Sequence, residues 1–341
     1  MMPKKLYTDR VLLDHGSGGR ASHDLVETLF VSRFDNQLLG SLEDSAVFDL
    51  GGQKLAFSTD SYVVDPVFFP GGNIGSLAIH GTVNDLAMRG ARPAYMSCGF
   101  IIEEGLAIAE LEEIIISMDR AAREAGVLIV AGDTKVVPRG AADKVFINTA
   151  GIGVVAKDVD ISGHNAKPGD AVLINGTIGD HGVAVLSKRE GLAFQTMVES
   201  DSCPLNGLVA ELIAAGLHIH VLRDPTRGGV ATTLNEIADS SNVAIKLFEE
   251  KLPYKSAVLG ACEVLGLDPL YIANEGKCLV ILPADEAERA LAVMRGNRYG
   301  AEATLIGEVL PEPKAKVFMQ TRIGGSRLVD MLTGEQLPRI C

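Results

Sequence analysis

Apolar positions recur along this chain with two periods. From Ile74 to Arg89 the spacing is helical, with Leu77, Val83 and Leu86 recurring and a stop at Gly90. From Ala107 to Ala125 the stripe is stronger. Leu111, Ile114, Ile115, Met118 and Ala122 share one face, charges occupy the other, and Gly126 ends the helix. Short apolar runs predict strands between these helices: Lys54 to Ser58 ending in Thr59-Asp60, Val127 to Ala131 as a buried strand leading into Gly132-Asp133-Thr134-Lys135, and the Gly-rich Val145 to Val155.

The pattern breaks from Ser162 to Asp170, where Gly, His, Asn, Pro and Asp gather. It restarts with a strand at Ala171 to Asn175 and a turn from Gly176 to Gly182. Helices are expected near 184–188, 205–215, 229–240 and 285–295, and a strand at Leu279 to Leu282. Gly151-Ile152-Gly153-Val154 and Ile306-Gly307-Glu308-Val309 echo each other, a hint of related halves. The organisation expected is an α/β chain with an N-terminal domain over 1–160, a C-terminal domain over 168–320, and a mobile tail over 321–341. Twenty residues after Thr321 could span roughly 60 Å if extended.

Composition narrows the function. The chain has 341 residues, enough for two cores, and a net charge of −13 that disfavours nucleic acid as the main ligand. A nucleotide held through a metal and backbone amides remains compatible with that charge. No apolar run approaches a membrane span and no signal core follows Lys4-Lys5, so a cytoplasmic protein with no membrane association is expected. The five cysteines are scattered without a CxxC pair, which supports neither a disulfide framework nor a zinc site. One of them, Cys341, follows Leu337-Pro338-Arg339-Ile340, where Pro338 interrupts regular structure. A thiol on such a tether suits a covalent carrier, against the plain alternative of a frayed end.

Other clusters suit a nucleotide. Asp14-His15-Gly16-Ser17-Gly18-Gly19 opens into a helical pattern, so several backbone N–H groups can converge on phosphate oxygens; the alternative is a flexible turn. Asp44, Asp60, Asp85 and Asp224 stand where strands or helices meet loops. Oxygen-rich sites of this kind suit Mg2+, whereas each aspartate taken singly suits a cap or salt bridge. Asp85 interrupts an apolar helix, where a lone carboxylate is costly. In Arg223-Asp224-Pro225-Thr226-Arg227-Gly228-Gly229, Thr226 is placed to cap the following helix. Lys135, beside Asp133, and Glu275, in Asn274-Glu275-Gly276, are either solvated charges or positioned groups, Glu275 as a base.

Taken together, Asp-His-Gly-Ser-Gly-Gly, Glu43-Asp44-Ser45-Ala46, Val83-Asn84-Asp85-Leu86-Ala87, Gly90-Ala91-Arg92-Pro93, Gly-Asp-Thr-Lys, Arg-Asp-Pro-Thr-Arg-Gly-Gly and Pro-Arg-Ile-Cys resemble the HypE family of hydrogenase maturation factors. The matches run from residue 14 to residue 341. The middle motifs are shared with a wider ATP-using superfamily that includes selenophosphate synthetase and thiamine-monophosphate kinase, while Pro-Arg-Ile-Cys narrows the resemblance. It implies a two-domain PurM-like fold and a homodimer whose N-terminal sheets join into a barrel. It also implies ATP and Mg2+ near the domain junction, with the nucleotide on His15 to Gly19, Asp133 and Thr226 to Gly229. The implied chemistry is ATP-dependent dehydration of an S-carbamoyl group on Cys341 to S-cyanide, with Glu275 and Lys135 near the sulfur. HypF would load the carbamoyl group, and a HypC–HypD complex would receive the cyanide. The rivals are another superfamily member acting on a diffusible substrate, or a protein that delivers metal on a Cys341 thiolate.

Overall fold

The computed structural model describes residues 8–191, 198–334 and 337–341. Its first sheet is built from β1 (Ala46–Leu50), β2 (Gln53–Tyr62), β3 (Ala91–Glu103), β4 (Leu128–Val137) and β5 (Val145–Val155), in the order β1-β2-β5-β3-β4. Only the β3–β4 pair is parallel. Beyond a short first helix, α1 (Arg20–Leu25), the helices α2 (Ile74–Met88) and α3 (Ile108–Ala125) cover one face of this sheet.

α2 is apolar nearly all round because it is buried nearly all round. The sheet lies on one side and the second half of the chain on the other. Asn73 starts it, its Oδ1 accepting the N–H groups of Gly75 and Ser76. Since α2 lies between the halves, the polar residues it carries, Asn84 and Asp85, are delivered to their junction.

The second sheet contains β6 (Asp170–Ile174), β7 (Val221–Arg223), β8 (Ala244–Phe248), β9 (Leu279–Pro283), β10 (Thr304–Leu310), β11 (Lys316–Gln320) and β12 (Ser326–Leu328), in the order β12-β11-β8-β10-β6-β9-β7. Helices α5 (Asn206–Ala214), α6 (Gly229–Ser240) and α8 (Ala287–Gly296) pack on it, with separate apolar cores on its two faces, while α4 (Asp180–Arg189) and α7 (Ser256–Leu265) pack on one another in a cluster of their own.

Two readings of the pattern change. The strand expected at Val127 to Ala131 is longer, contains Gly132 to Lys135 itself, and is exposed rather than buried. It forms the open edge of the first sheet. The segment after Thr321 begins as an edge strand, β12, and its Val329 and Leu332 are buried. The first sheet is open in the single chain. Its face away from α2 and α3 exposes Phe57, Tyr95, Ile101 and Val154. Among the described residues, no helix is long and apolar enough to cross a membrane.

Candidate functional site

Four of the sequence-predicted aspartates converge at the junction of the two sheets. Asp60 lies near the end of β2, Asp85 on α2, Asp44 just before β1, and Asp224 just after β7. Ser58 Oγ donates to Asp85 Oδ2 at 2.6 Å and sits 2.9 Å from the Asp44 carbonyl oxygen. Burial pushes the Asp85 carboxyl well above the ordinary carboxylate range, and Asp224, Asp60 and Asp44 push it further. Asp44 is raised in the same way, with Arg223 opposing. Burial raises Asp60, with Arg227 pulling it back. Asp224 is raised to about 6 by burial, with Arg223 opposing.

Burial raises all four carboxyls above their ordinary range, the electrostatic situation a divalent cation relieves. Asp44 Oδ2 is buried without a hydrogen-bond partner, as a ligand oxygen awaiting a cation would be. Among the described residues no ready-made group of three or more His, Cys, Asp or Glu ligands is found. In the ligand-free chain protein groups hold the acids instead. Arg223 forms ion pairs with Asp44 at 2.8 Å and with Glu236 at 2.7 Å, and Ser58 holds Asp85.

The sign of these shifts gives a prediction. A carboxyl whose folded pKa exceeds its unfolded value contributes stability at low pH and loses it as pH rises through the folded pKa. For Asp224 that window runs from the usual carboxylate range through about 6. In melting-temperature measurements, Asp224→Asn is expected to make the ligand-free chain more stable at pH about 8, by about 3 kcal/mol at most. It should also flatten the fall in stability between pH about 4 and 6. An unchanged pH slope would contradict the assignment.

Glu275 faces the same cluster from the loop before β9 and is almost fully buried. Burial raises its carboxyl well above the usual range, Asp224, Asp60 and Asp201 add to this, and Arg227 opposes. Its backbone is fixed on several sides. Asp201 Oδ1 accepts the Glu275 N–H at 3.0 Å, and Lys277 Nζ lies 3.1 Å from Asp201 Oδ2. Asn84 Nδ2 donates to the carbonyls of Glu275 and Cys203, while its Oδ1 accepts the Leu205 N–H. Asn274 donates to Pro225 O at 2.9 Å and accepts from Gly179 N at 2.7 Å.

The glycine motifs meet here. Gly18 has φ +77, and a Cβ on it would stand 2.9 Å from Arg227 Cβ, so a side chain is excluded where the N-terminal segment crosses Arg227. Arg227 Nη1 donates to Gly16 O at 3.0 Å, Ser17 is buried beside Gly228 and Ile340, and His15 Nδ1 is engaged by the Leu12 N–H. The helix after this loop starts differently from the sequence expectation. Gly228, at φ +77, is the N-cap of α6, and Thr226 makes no side-chain cap. Thr226 instead accepts the Gly229 N–H on its carbonyl. Gly229, at φ +61, abuts the carbonyls of Leu270 and Ile272, which explains the paired glycines.

The end of the chain is seated inward. Val63 N–H donates to Cys341 O at 3.0 Å and Asp65 N–H to Arg339 O at 3.1 Å, two rungs of an antiparallel ladder beyond β2. Ile340 is buried in the first core. Negative charge at Cys341 is the largest influence holding Arg227 protonated, followed, after desolvation, by Asp60, Glu275 and Asp85. Cys341, Arg227, Glu275 and the aspartates therefore share one electrostatic site.

Asp133 and Lys135 do not join it within one chain. They pair with each other on the exposed strand β4, Lys135 Nζ lying 2.7 Å from Asp133 Oδ2. Register places them beside Gly99 and Ile101, on the sheet face away from α2, whereas Asp60 shares the helix-side face with Ser58. Sequence reasoning gave no role to the residues that hold the site in shape: Arg223, Asn84, Asp201, Lys277, His181 and Arg189. Asn84 and Lys277 are chain neighbours of Asp85 and Glu275, a local signal that could have found them.

Two family models match: AIR synthase related protein, N-terminal domain, over residues 42–155, and AIR synthase related protein, C-terminal domain, over residues 167–320. Carbamoyl dehydratase HypE of Rhizobium leguminosarum bv. viciae is 55% identical over 333 residues, 97% of this chain and 95% of that protein. Carbamoyl dehydratase HypE of Escherichia coli (strain K12) is 46% identical over 338 residues, covering 98% and 100%. Among solved structures, hydrogenase maturation protein HypE in complex with ATP superposes with TM-score 0.83 at 57% identity over 97% of this chain and 100% of that one. A HypE–HypF complex gives TM-score 0.86 at 52% identity over 90% and 99%. A thiamine monophosphate kinase from Aquifex aeolicus, at 20% identity and TM-score 0.66, shares the fold.

Proposed function

The chain belongs to the HypE family of carbamoyl dehydratases, hydrogenase maturation enzymes of two-domain PurM-like fold, and from that premise we propose how its residues do the work. Cys341 is the carrier. A HypF carbamoyltransferase places a carbamoyl group on its sulfur, this chain dehydrates it to thiocyanate, and the cyanide passes to iron on a HypC–HypD complex. The reaction runs in the cytoplasm. HypE was solved with ATP and with HypF, which supports both as ligands of this chain.

An amide oxygen leaves poorly, and bound ATP with Mg2+ supplies the means of turning it into phosphate. Asp44, Asp60, Asp85 and Asp224 would hold the metal, and the backbone of His15 to Gly19 with Thr226 to Gly229 would hold the nucleotide. Transfer of the γ-phosphoryl group to the carbonyl oxygen, with one of the two N–H protons lost to solvent, leaves an O-phosphorylated imidate, and Glu275 removes the second N–H proton as the carbon–oxygen bond breaks. The electrons of the N–H bond become the third bond of the nitrile, and the oxygen leaves on phosphate. Arg227 offsets negative charge beside the sulfur. The observation that carries this reading is the inward seat of the tail, where Val63 N–H, three residues beyond Asp60, donates to Cys341 O at 3.0 Å. Its test is the product: carbamoyl still on Cys341 after ATP has been consumed would refute it.

Asp133 and Lys135 enter this scheme only through a second copy. The apolar outer face of the first sheet and the open edge β4 favour a homodimer closed through these sheets into a barrel. In light-scattering measurements the chain is expected at twice its own mass. Tyr95→Asp, which puts a charge on that face, should yield monomers with at least about a tenfold loss of turnover, as expected when a residue positioned for the reaction is withdrawn. A fully active monomer would contradict this.

A further inference from the structure

Two residues that the chemistry does not use help to hold the inward position of the chain's end, beside the backbone ladder from Val63 and Asp65 and the Arg339 side chain, whose Nε donates to Val63 O at 3.0 Å. Both lie on α4, about 12 Å apart along its axis. Arg189 donates through Nη1 to Pro338 O at 2.7 Å, through Nη2 to Arg339 O at 2.6 Å, and through Nε to Asp65 O at 2.7 Å. One guanidinium thus ties the tail to the loop after β2. At the other end of α4, His181 Nε2 lies 2.8 Å from Ile340 O. Its Nδ1 lies 2.8 Å from Ser200 Oγ, which accepts the Ser202 N–H, so Ser200 donates to Nδ1 and the Nε2 proton points to the tail. The ring of Phe69, edge-on at 5.4 Å, packs against His181.

All three tail acceptors, on Pro338, Arg339 and Ile340, are main-chain carbonyls. We propose that Arg189 and His181 form a backbone latch that seats Leu337 to Cys341 inward. The latch reads main-chain carbonyls, while Cys341 itself packs against the first core. Arg189 contributes most, since hydrogen bonds from a charged donor are the stronger kind and it makes three. Its removal shifts the tail outward, where a loading enzyme reaches it, and away from Glu275. The consequence for turnover rests on the carrier reading above; the geometry of the latch does not.

The test therefore reads position and chemistry separately. Cys98, Cys203, Cys262 and Cys278 are buried, so the rate at which iodoacetamide modifies Cys341, followed by mass of the C-terminal peptide, reports tail exposure without ATP or carbamoyl groups. Arg189→Met, which keeps the apolar stem and loses every donor, is expected to raise that rate at least about tenfold. Arg189→Lys should fall between Arg189→Met and the parent, and it supplies the contrast should Arg189→Met fail to fold. Carbamoyl loading by HypF should be unchanged or faster in both variants, while dehydration of the loaded form slows. An alkylation rate equal to that of the parent chain would overturn the latch. If the alkylation contrast appears but the parent chain never forms thiocyanate, the latch stands and the carrier reading falls.

Discussion

Glu275→Gln should bind ATP as the parent chain does and form thiocyanate some 10²–10⁴-fold more slowly, the range a positioned base contributes. The substitution keeps the shape of the side chain. It also leaves intact the backbone contacts of residue 275 with Asp201 and Asn84, because those use its main chain. What it removes is a carboxyl raised by burial and by Asp224, Asp60 and Asp201. An ordinary carboxylate is a weak base for an amide proton. One with an elevated pKa accepts the proton more readily once it is ionised. The parent rate should accordingly climb with pH as Glu275 loses its proton, and the Gln variant should lack that limb. Retained turnover with the same pH profile would remove Glu275 from the reaction.

Cys341→Ser is expected to abolish thiocyanate formation completely while leaving the fold and the seating of the tail unchanged. The seat is made mainly by carbonyls of residues 338 to 341, by the Arg339 side chain and by Ile340 and Leu337 in the cores, and the substitution changes one atom of a side chain packed beside them. This variant also separates the rivals. A kinase acting on a diffusible substrate would keep its activity without the thiol. A metal-delivery protein would bind metal in the parent chain without any need of ATP.

The sequence and the structure agree where local pattern sets the outcome. The stripe of Leu111, Ile114, Ile115, Met118 and Ala122 becomes α3, and Val145 to Val155 becomes β5 with the same bounds. The interior strand β3 has no counterpart in the expected elements. Pro93 and a register shift between Pro93 and Tyr95 break the alternation that marks a strand. β8 and α7 were likewise not anticipated. In the site, Asp85 was legible because a carboxylate within an apolar helix demands a reason. Arg189 and His181 were not, since their partners lie about 150 residues further on and no local spacing encodes such contacts. The face occupied by Lys135 became readable only from the pairing of β4 with β3.

The central claim is that sulfur at residue 341 carries the reacting group through its own dehydration. The direct measurement is the intact mass of the chain after loading by HypF and a carbamoyl donor, before and after ATP is added. The account predicts a gain of one carbamoyl group on Cys341, followed with ATP by the loss of one water's mass from that same residue. A loaded chain that consumes ATP and keeps its full carbamoyl mass would contradict it.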